Sequence, residues 1–121
     1  MAKVLIVDDS KAYRFRLRKL VREWGHEALT AKNGEQALEL ARSEQPEIIL
    51  MDIVMPGMNG YQAKRTLARD AATRDIPVIF VSTRDEETDR IWGMRQGAAD
   101  YVTKPVDPEH LLSAITNAVA A

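Results

Sequence analysis

Three short, unbroken apolar runs constrain this chain more than any other feature: residues 4–7 (VLIV), Ile48–Met51 (IILM) and residues 78–81 (VIFV). They are rich in β-branched residues and show no polar alternation, so they read as strands buried on both faces, the habit of parallel sheets covered by helices. Weaker strands are expected at Glu27–Ala31 and Asp100–Thr103. Helical patterns fill the gaps. Tyr13, Leu17, Leu20, Val21 and Trp24 share one face of a helix that Gly25 can end in the left-handed conformation. Residues 35–44, 61–69 and 86–96 form three more candidates. The last helix opens with Asp107 as N-cap and Pro108 at its first position, and Leu111, Leu112, Ile115, Ala118 and Val119 make up one face of it. Strand and helix alternate five times without a repeat or linker, which predicts an α/β fold with helices on both faces of one sheet.

In such sheets ligands bind beyond the carboxyl ends of the strands. The first strand delivers Asp8 and Asp9 to that rim, the third Asp52, the fourth Ser82 and Thr83, and the fifth Lys104; the second delivers only the turn Ala31-Lys32-Asn33-Gly34. If the first and third strands are neighbours, at an interstrand spacing of about 4.8 Å, the three aspartates share one pocket. Carboxylates that close repel, so a proton or a cation must join them. Oxygen-only ligands suit a hard ion, and two or three carboxylates with room for water suit Mg²⁺ better than a Ca²⁺ cage. Lys104 and the Ser82 hydroxyl complete a set fit for phosphoryl oxygens, with Asp52 the best-placed nucleophile.

Composition narrows the alternatives. At 121 residues the chain has the length of one domain, residues 1–121, with no room for an output module. Lys and Arg number 17 against 18 Asp and Glu, a net charge of −1, which argues against nucleic-acid or membrane-surface binding by bulk charge. No apolar run approaches the roughly 18 residues of a membrane helix. There are no cysteines, which removes disulfides and thiolate chemistry and suits a cytoplasmic protein.

Four stretches carry a family resemblance: Val7-Asp8-Asp9-Ser10; residues 50–60 (LMDIVMPGMNG); residues 77–83 (PVIFVST); and residues 97–105 (GAADYVTKP). In their order and spacing the chain resembles the CheY-like receiver domains of two-component response regulators. That resemblance implies a flavodoxin-like doubly wound sheet of order 2-1-3-4-5. It implies Asp52 as phospho-acceptor, Asp9 as a direct Mg²⁺ ligand, Asp8 as a ligand through water, and the Val54 carbonyl as another direct ligand. It further implies Ser82 and Lys104 as phosphoryl contacts, with Thr83 beside them, Tyr101 as an aromatic rotamer switch, and a cis Lys104–Pro105 bond. A histidine kinase, of the chemotaxis type, is the implied phosphodonor. Phosphorylation is expected to switch the face of the fourth helix, fifth strand and fifth helix for an unnamed protein target, in a monomer.

Residues 88–98 and 103–107 look like the single-domain regulators of type IV pilus twitching motility. A phosphorelay intermediate or phosphate sink is the alternative within the family. Outside it stands an aspartate-nucleophile phosphotransferase enzyme, against which the adjacency of Asp8 and Asp9 and the lack of a cap domain count. Taken alone, Asp8, Asp9 and Ser10 could be helix caps, and Tyr101 could pack at the sheet edge with its hydroxyl wet. Met51, Met55 and Met58 read as packing residues, and His26 and His110 have no assigned role. Gly93 inside the fourth helix predicts a locally soft element. Arg84 can pair with the phosphoryl group, with Asp85 or with Glu86.

Overall fold

The computed structural model describes residues 1–120. Its elements follow the chain as β1 (Lys3–Val7), α1 (Lys11–Glu23), β2 (Glu27–Ala31), α2 (Gly34–Glu44), β3 (Ile48–Met51), α3 (Gly60–Arg69), β4 (Val78–Ser82), α4 (Glu87–Arg95), β5 (Asp100–Thr103) and α5 (Pro108–Ala120). The strands are all parallel, in the order β2-β1-β3-β4-β5. The five expected strands and five helices are all present, with shifts of one residue at several ends.

Alternation along each strand divides the core in two. Leu5, Val7, Ile49, Met51, Phe80 and Tyr101 face one side, where Ala37 and Ala41 of α2 and Ala63 and Leu67 of α3 cover them. Val4, Ile6, Ile48, Leu50, Ile79, Val81 and Val102 face the other, under Leu17 and Val21 of α1 and Leu111, Ala114 and Ile115 of α5. Every residue of β3 and β4 is buried, which is why their sequences carry no polar alternation. Each sheet face thus consumes alternate residues of a continuous apolar run.

Capping locks the helices near the rim. The Ser10 hydroxyl accepts the Tyr13 N–H at 3.2 Å and opens α1 immediately after the paired aspartates. Asn59 and Gln62 form a reciprocal capping box at the start of α3. Asp107 accepts the Glu109 N–H at 3.1 Å and starts α5, as the sequence implied. Gly25, at φ +86°, closes α1 in the left-handed conformation. Gly60 is required for a different reason: a Cβ there would collide with the Asp52 carbonyl oxygen and stand 2.8 Å from Ile53 Cα. The first turn of α3 is therefore pressed onto the backbone that carries Asp52.

One expectation changes its physical basis. Beyond its effect on helix propensity, Gly93 has a packing role: among the described residues it is the only buried one of α4, and it faces the Tyr101 ring. Trp92 beside it is 48% exposed. The methionines pack as expected, with Met51 and Met55 buried and Met58 against the same core.

Candidate functional site

Val7 and Met51 are register partners, so β1 and β3 end level and release their aspartates at the same rim. Asp8 is 1% exposed and Asp52 7%, while Asp9 faces solvent. One carboxylate oxygen from each of the three lies within 4.8 Å of the others. Local bonds fix the two buried carboxylates. Asp8 Oδ1 accepts the Ser10 N–H at 2.9 Å, and Asp52 Oδ1 accepts the Ile53 N–H at 2.8 Å.

Lys104, the residue after β5, bridges them. Its Nζ stands 2.7 Å from Asp8 Oδ2 and 3.3 Å from Asp52 Oδ2, and the side chain is 6% exposed. The Lys104 N–H donates to the Ser82 carbonyl at 2.8 Å, holding the base of the side chain at the end of β4. The Lys104–Pro105 bond is cis. Burial pushes the Asp52 carboxyl above the ordinary carboxylate range, and the nearby Asp8 charge adds to this; Lys104 offsets only part. For Lys104, burial alone would favour the neutral amine. The hydrogen bond to Asp8 and the charges of Asp52 and Asp8 outweigh that and hold the ammonium above its usual range.

Ser82 is fully buried, and its hydroxyl oxygen accepts the Arg84 N–H at 3.2 Å. Thr83, after β4, is exposed, and Val54, after β3, is 54% exposed. A shallow cleft lined by Ile53, Val54, Met55, Asn59, Tyr61 and Arg84 continues from the rim. Tyr101 lies behind Ser82, fully buried, and its hydroxyl donates to the Arg84 carbonyl at 2.7 Å. A wet hydroxyl at the sheet edge is thereby excluded in this conformation. Burial raises the Tyr101 phenol, with Ser82 opposing the shift. Arg84 selects neither Asp85 nor Glu86: its guanidinium pairs with Asp89, at 3.4 Å.

The donor set fits a small dication. Opposite oxygens around Mg²⁺ stand about 4 Å apart, close to the spread of the three carboxylates, and among the described residues no sulfur or imidazole belongs to the cluster. Asp9, the exposed member, leaves the cluster open to incoming ligands.

Three α1 residues have contacts at the site that the sequence reading missed; it placed Tyr13 only on the apolar face of the helix and passed over Arg14 and Arg16. The Tyr13 ring lies under Lys104, 4.1 Å from Nζ to centroid, where it adds a cation–π contact. The Arg14 guanidinium donates to the Asp8 carbonyl at 2.7 Å, and that of Arg16 to the Val106 carbonyl at 3.2 Å. Their one sequence signal is position, in the first two turns after a capped pair of aspartates. His26, which had no role, accepts the Ala2 N–H at 3.0 Å and pins the start of β1.

Among the described residues no helix is long and apolar enough to cross a membrane. The response regulator receiver domain family matches residues 4–116. Protein PilH of Pseudomonas aeruginosa is 56% identical over 121 residues, covering 100% of this chain and 99% of PilH. Response regulator PleD of Caulobacter vibrioides is 42% identical over 115 residues, 94% of this chain but 25% of PleD. The structure of chemotaxis protein CheY4 from Vibrio cholerae superposes with a TM-score of 0.90 at 30% identity, covering 98% of each chain. The aspartate rim, the 2-1-3-4-5 sheet and a family match spanning nearly the whole sequence lead to one conclusion: this chain belongs to the response regulator receiver domains.

Proposed function

We propose that Asp52 accepts a phosphoryl group from the phosphohistidine of a histidine kinase, and that the modification switches the α4-β5-α5 face toward a protein partner. One observation carries this reading: a buried lysine is held between the carboxylates of Asp8 and Asp52 while Asp9 completes an oxygen cluster on the same rim. The Asp52 oxygen attacks phosphorus in line, the phosphorus–nitrogen bond breaks, and the electron pair returns to the donor imidazole. Asp8, Asp9, Asp52 and the Val54 carbonyl would hold Mg²⁺, which when bound neutralises charge on the transferring oxygens. Lys104 enters this reaction charged, and exchanges its contact with Asp52 for one to a phosphoryl oxygen. The Ser82 hydroxyl donates to a second oxygen, with Thr83 at the mouth. Tyr101, behind Ser82, follows the movement of the β4–α4 loop, so that phosphorylation shifts a two-state population. Water later hydrolyses the acyl phosphate.

The chain acts as a stand-alone, monomeric and cytoplasmic regulator in this reading; full-length similarity to PilH, rather than to a larger protein alone, supports the stand-alone part. The pathway is of the type IV pilus twitching or chemotaxis-like kind, with a chemotaxis-type kinase as donor. Labelling with acetyl phosphate in Mg²⁺ tests the chemistry, and profiling against the host's histidine kinases names the donor. Asp52→Asn is expected to abolish stable labelling; label retained in that variant would overturn the assignment.

A further inference from the structure

Helix α4 meets the core through a missing side chain. Its neighbours Ile91, Trp92 and Met94 are 45%, 48% and 41% exposed, and only Gly93 turns inward. A Cβ built on Gly93 would stand 2.8 Å from Tyr101 Cδ2, 3.1 Å from Cε2 and 3.4 Å from Phe80 Cδ2. Carbon pairs rest at roughly 3.5–4.0 Å, so the space a methyl group needs is already filled by the tyrosine ring. The ring is also held from two other directions. Its hydroxyl is bonded to the Arg84 carbonyl at 2.7 Å, and its flank meets Phe80 at a centroid separation of 6.5 Å. Phe80 in turn packs edge-on against Tyr61 at 5.4 Å, and Tyr61 against Trp92 at 6.4 Å. Four aromatic rings thus run from the buried switch position to the exposed flank of the same helix turn that carries Gly93.

We propose that Gly93 is a positioning residue for Tyr101: its bare Cα forms the socket that admits the inward ring and couples it, through Phe80 and Tyr61, to the Trp92 surface. Glycine is a poor choice for a helix interior on propensity alone, so its presence here needs a compensating contact, and the ring supplies one. Any side chain at position 93 must expel the ring or lift α4 from the sheet. The proposal rests on the functional reading above only in naming α4 as part of the output face.

The test is a double-mutant cycle read by thermal unfolding, because propensity and packing predict opposite signs. Gly93→Ala should lower the unfolding midpoint by at least about 3 °C, since overpacking outweighs the gain in helix propensity. In a Tyr101→Ala background the same substitution should raise the midpoint, because the methyl enters vacated space. Should Gly93→Ala alone fail to fold, recovery of a folded double variant carries the same conclusion. In a Trp24→Phe background, Trp92 emission should change with Gly93→Ala and stop responding to it once Tyr101 is alanine. A rise in midpoint in both backgrounds, or a double variant less stable than either single one, overturns the socket. Acetyl phosphate labelling of Asp52 in the unmutated protein, measured alongside, distinguishes failure of the socket from failure of the phosphorylation reading.

Discussion

Lys104→Met tests the electrostatic balance on which the site depends. The substitution keeps most of the side-chain length and removes the one cation between Asp8 and Asp52, at 2.7 and 3.3 Å. At an effective dielectric constant of about 20, a unit pair near 3 Å attracts by about 5 kcal/mol before desolvation is counted. Breaking such a buried pair leaves stranded charge and costs about 3–5 kcal/mol. Asp9 opens one side of the cluster to water, so the lower end, about 3 kcal/mol, is expected in metal-free buffer. For a domain of this size that corresponds to a fall of roughly 10 °C in the melting temperature. Magnesium should narrow the gap. It stabilises both proteins, and the variant, freed of a competing ammonium, should bind it more tightly, which recovers about 1.4 kcal/mol for each tenfold difference in affinity at saturation. Urea unfolding of both proteins in EDTA and in saturating Mg²⁺ measures all four values. A loss below about 1 kcal/mol in EDTA, or a gap indifferent to Mg²⁺, would show that Lys104 does not balance these carboxylates.

Two further perturbations probe how the scaffold holds the site. Gly60→Ala forces a methyl against the Asp52 carbonyl and Ile53 Cα, and should destabilise by about 2–3 kcal/mol while slowing Asp52 labelling; unfolding curves and labelling rates check both. Lys64, 8% exposed on α3, has its ammonium pushed below the usual range by desolvation. The folded state therefore penalises its charged form, fully at pH values below the shifted range and progressively less as pH rises through the ordinary lysine range. Lys64→Met should accordingly stabilise the protein at pH 7, with the gain shrinking toward pH 11; a gain that grows with pH would contradict this.

The fold was legible because burial on both faces leaves an unmistakable pattern in a short chain. The runs at 4–7, 48–51 and 78–81 read as strands buried on both faces, and the capping residues Ser10 and Asp107 mark their helices in the sequence itself. The rim was legible for a related reason, since strand ends in a parallel sheet converge and polar residues there stand out against apolar runs. Strand order is a different matter: it rested on the family resemblance, because a periodic pattern says which residues are inside but not which strands touch.

What tertiary structure alone decided lies at side-chain contacts between different parts of the fold. Tyr13 beneath Lys104, Arg84 on Asp89 rather than its nearest acids, and Gly93 against Tyr101 depend on side-chain directions that no spacing encodes. Gly93 is the clearest instance. Propensity measures what a residue does to its own helix and therefore read this glycine as softness. The reason for the glycine is an aromatic ring eight positions further along the chain, on β5, and only packing could reveal that the two compete for the same volume. The sequence by itself determined the elements, the polar rim and the chemical types gathered there, because these follow from local pattern and strand direction. Which groups share charge and which share space was decided by the folded chain, because Coulomb and contact forces act across distances that sequence separation does not measure.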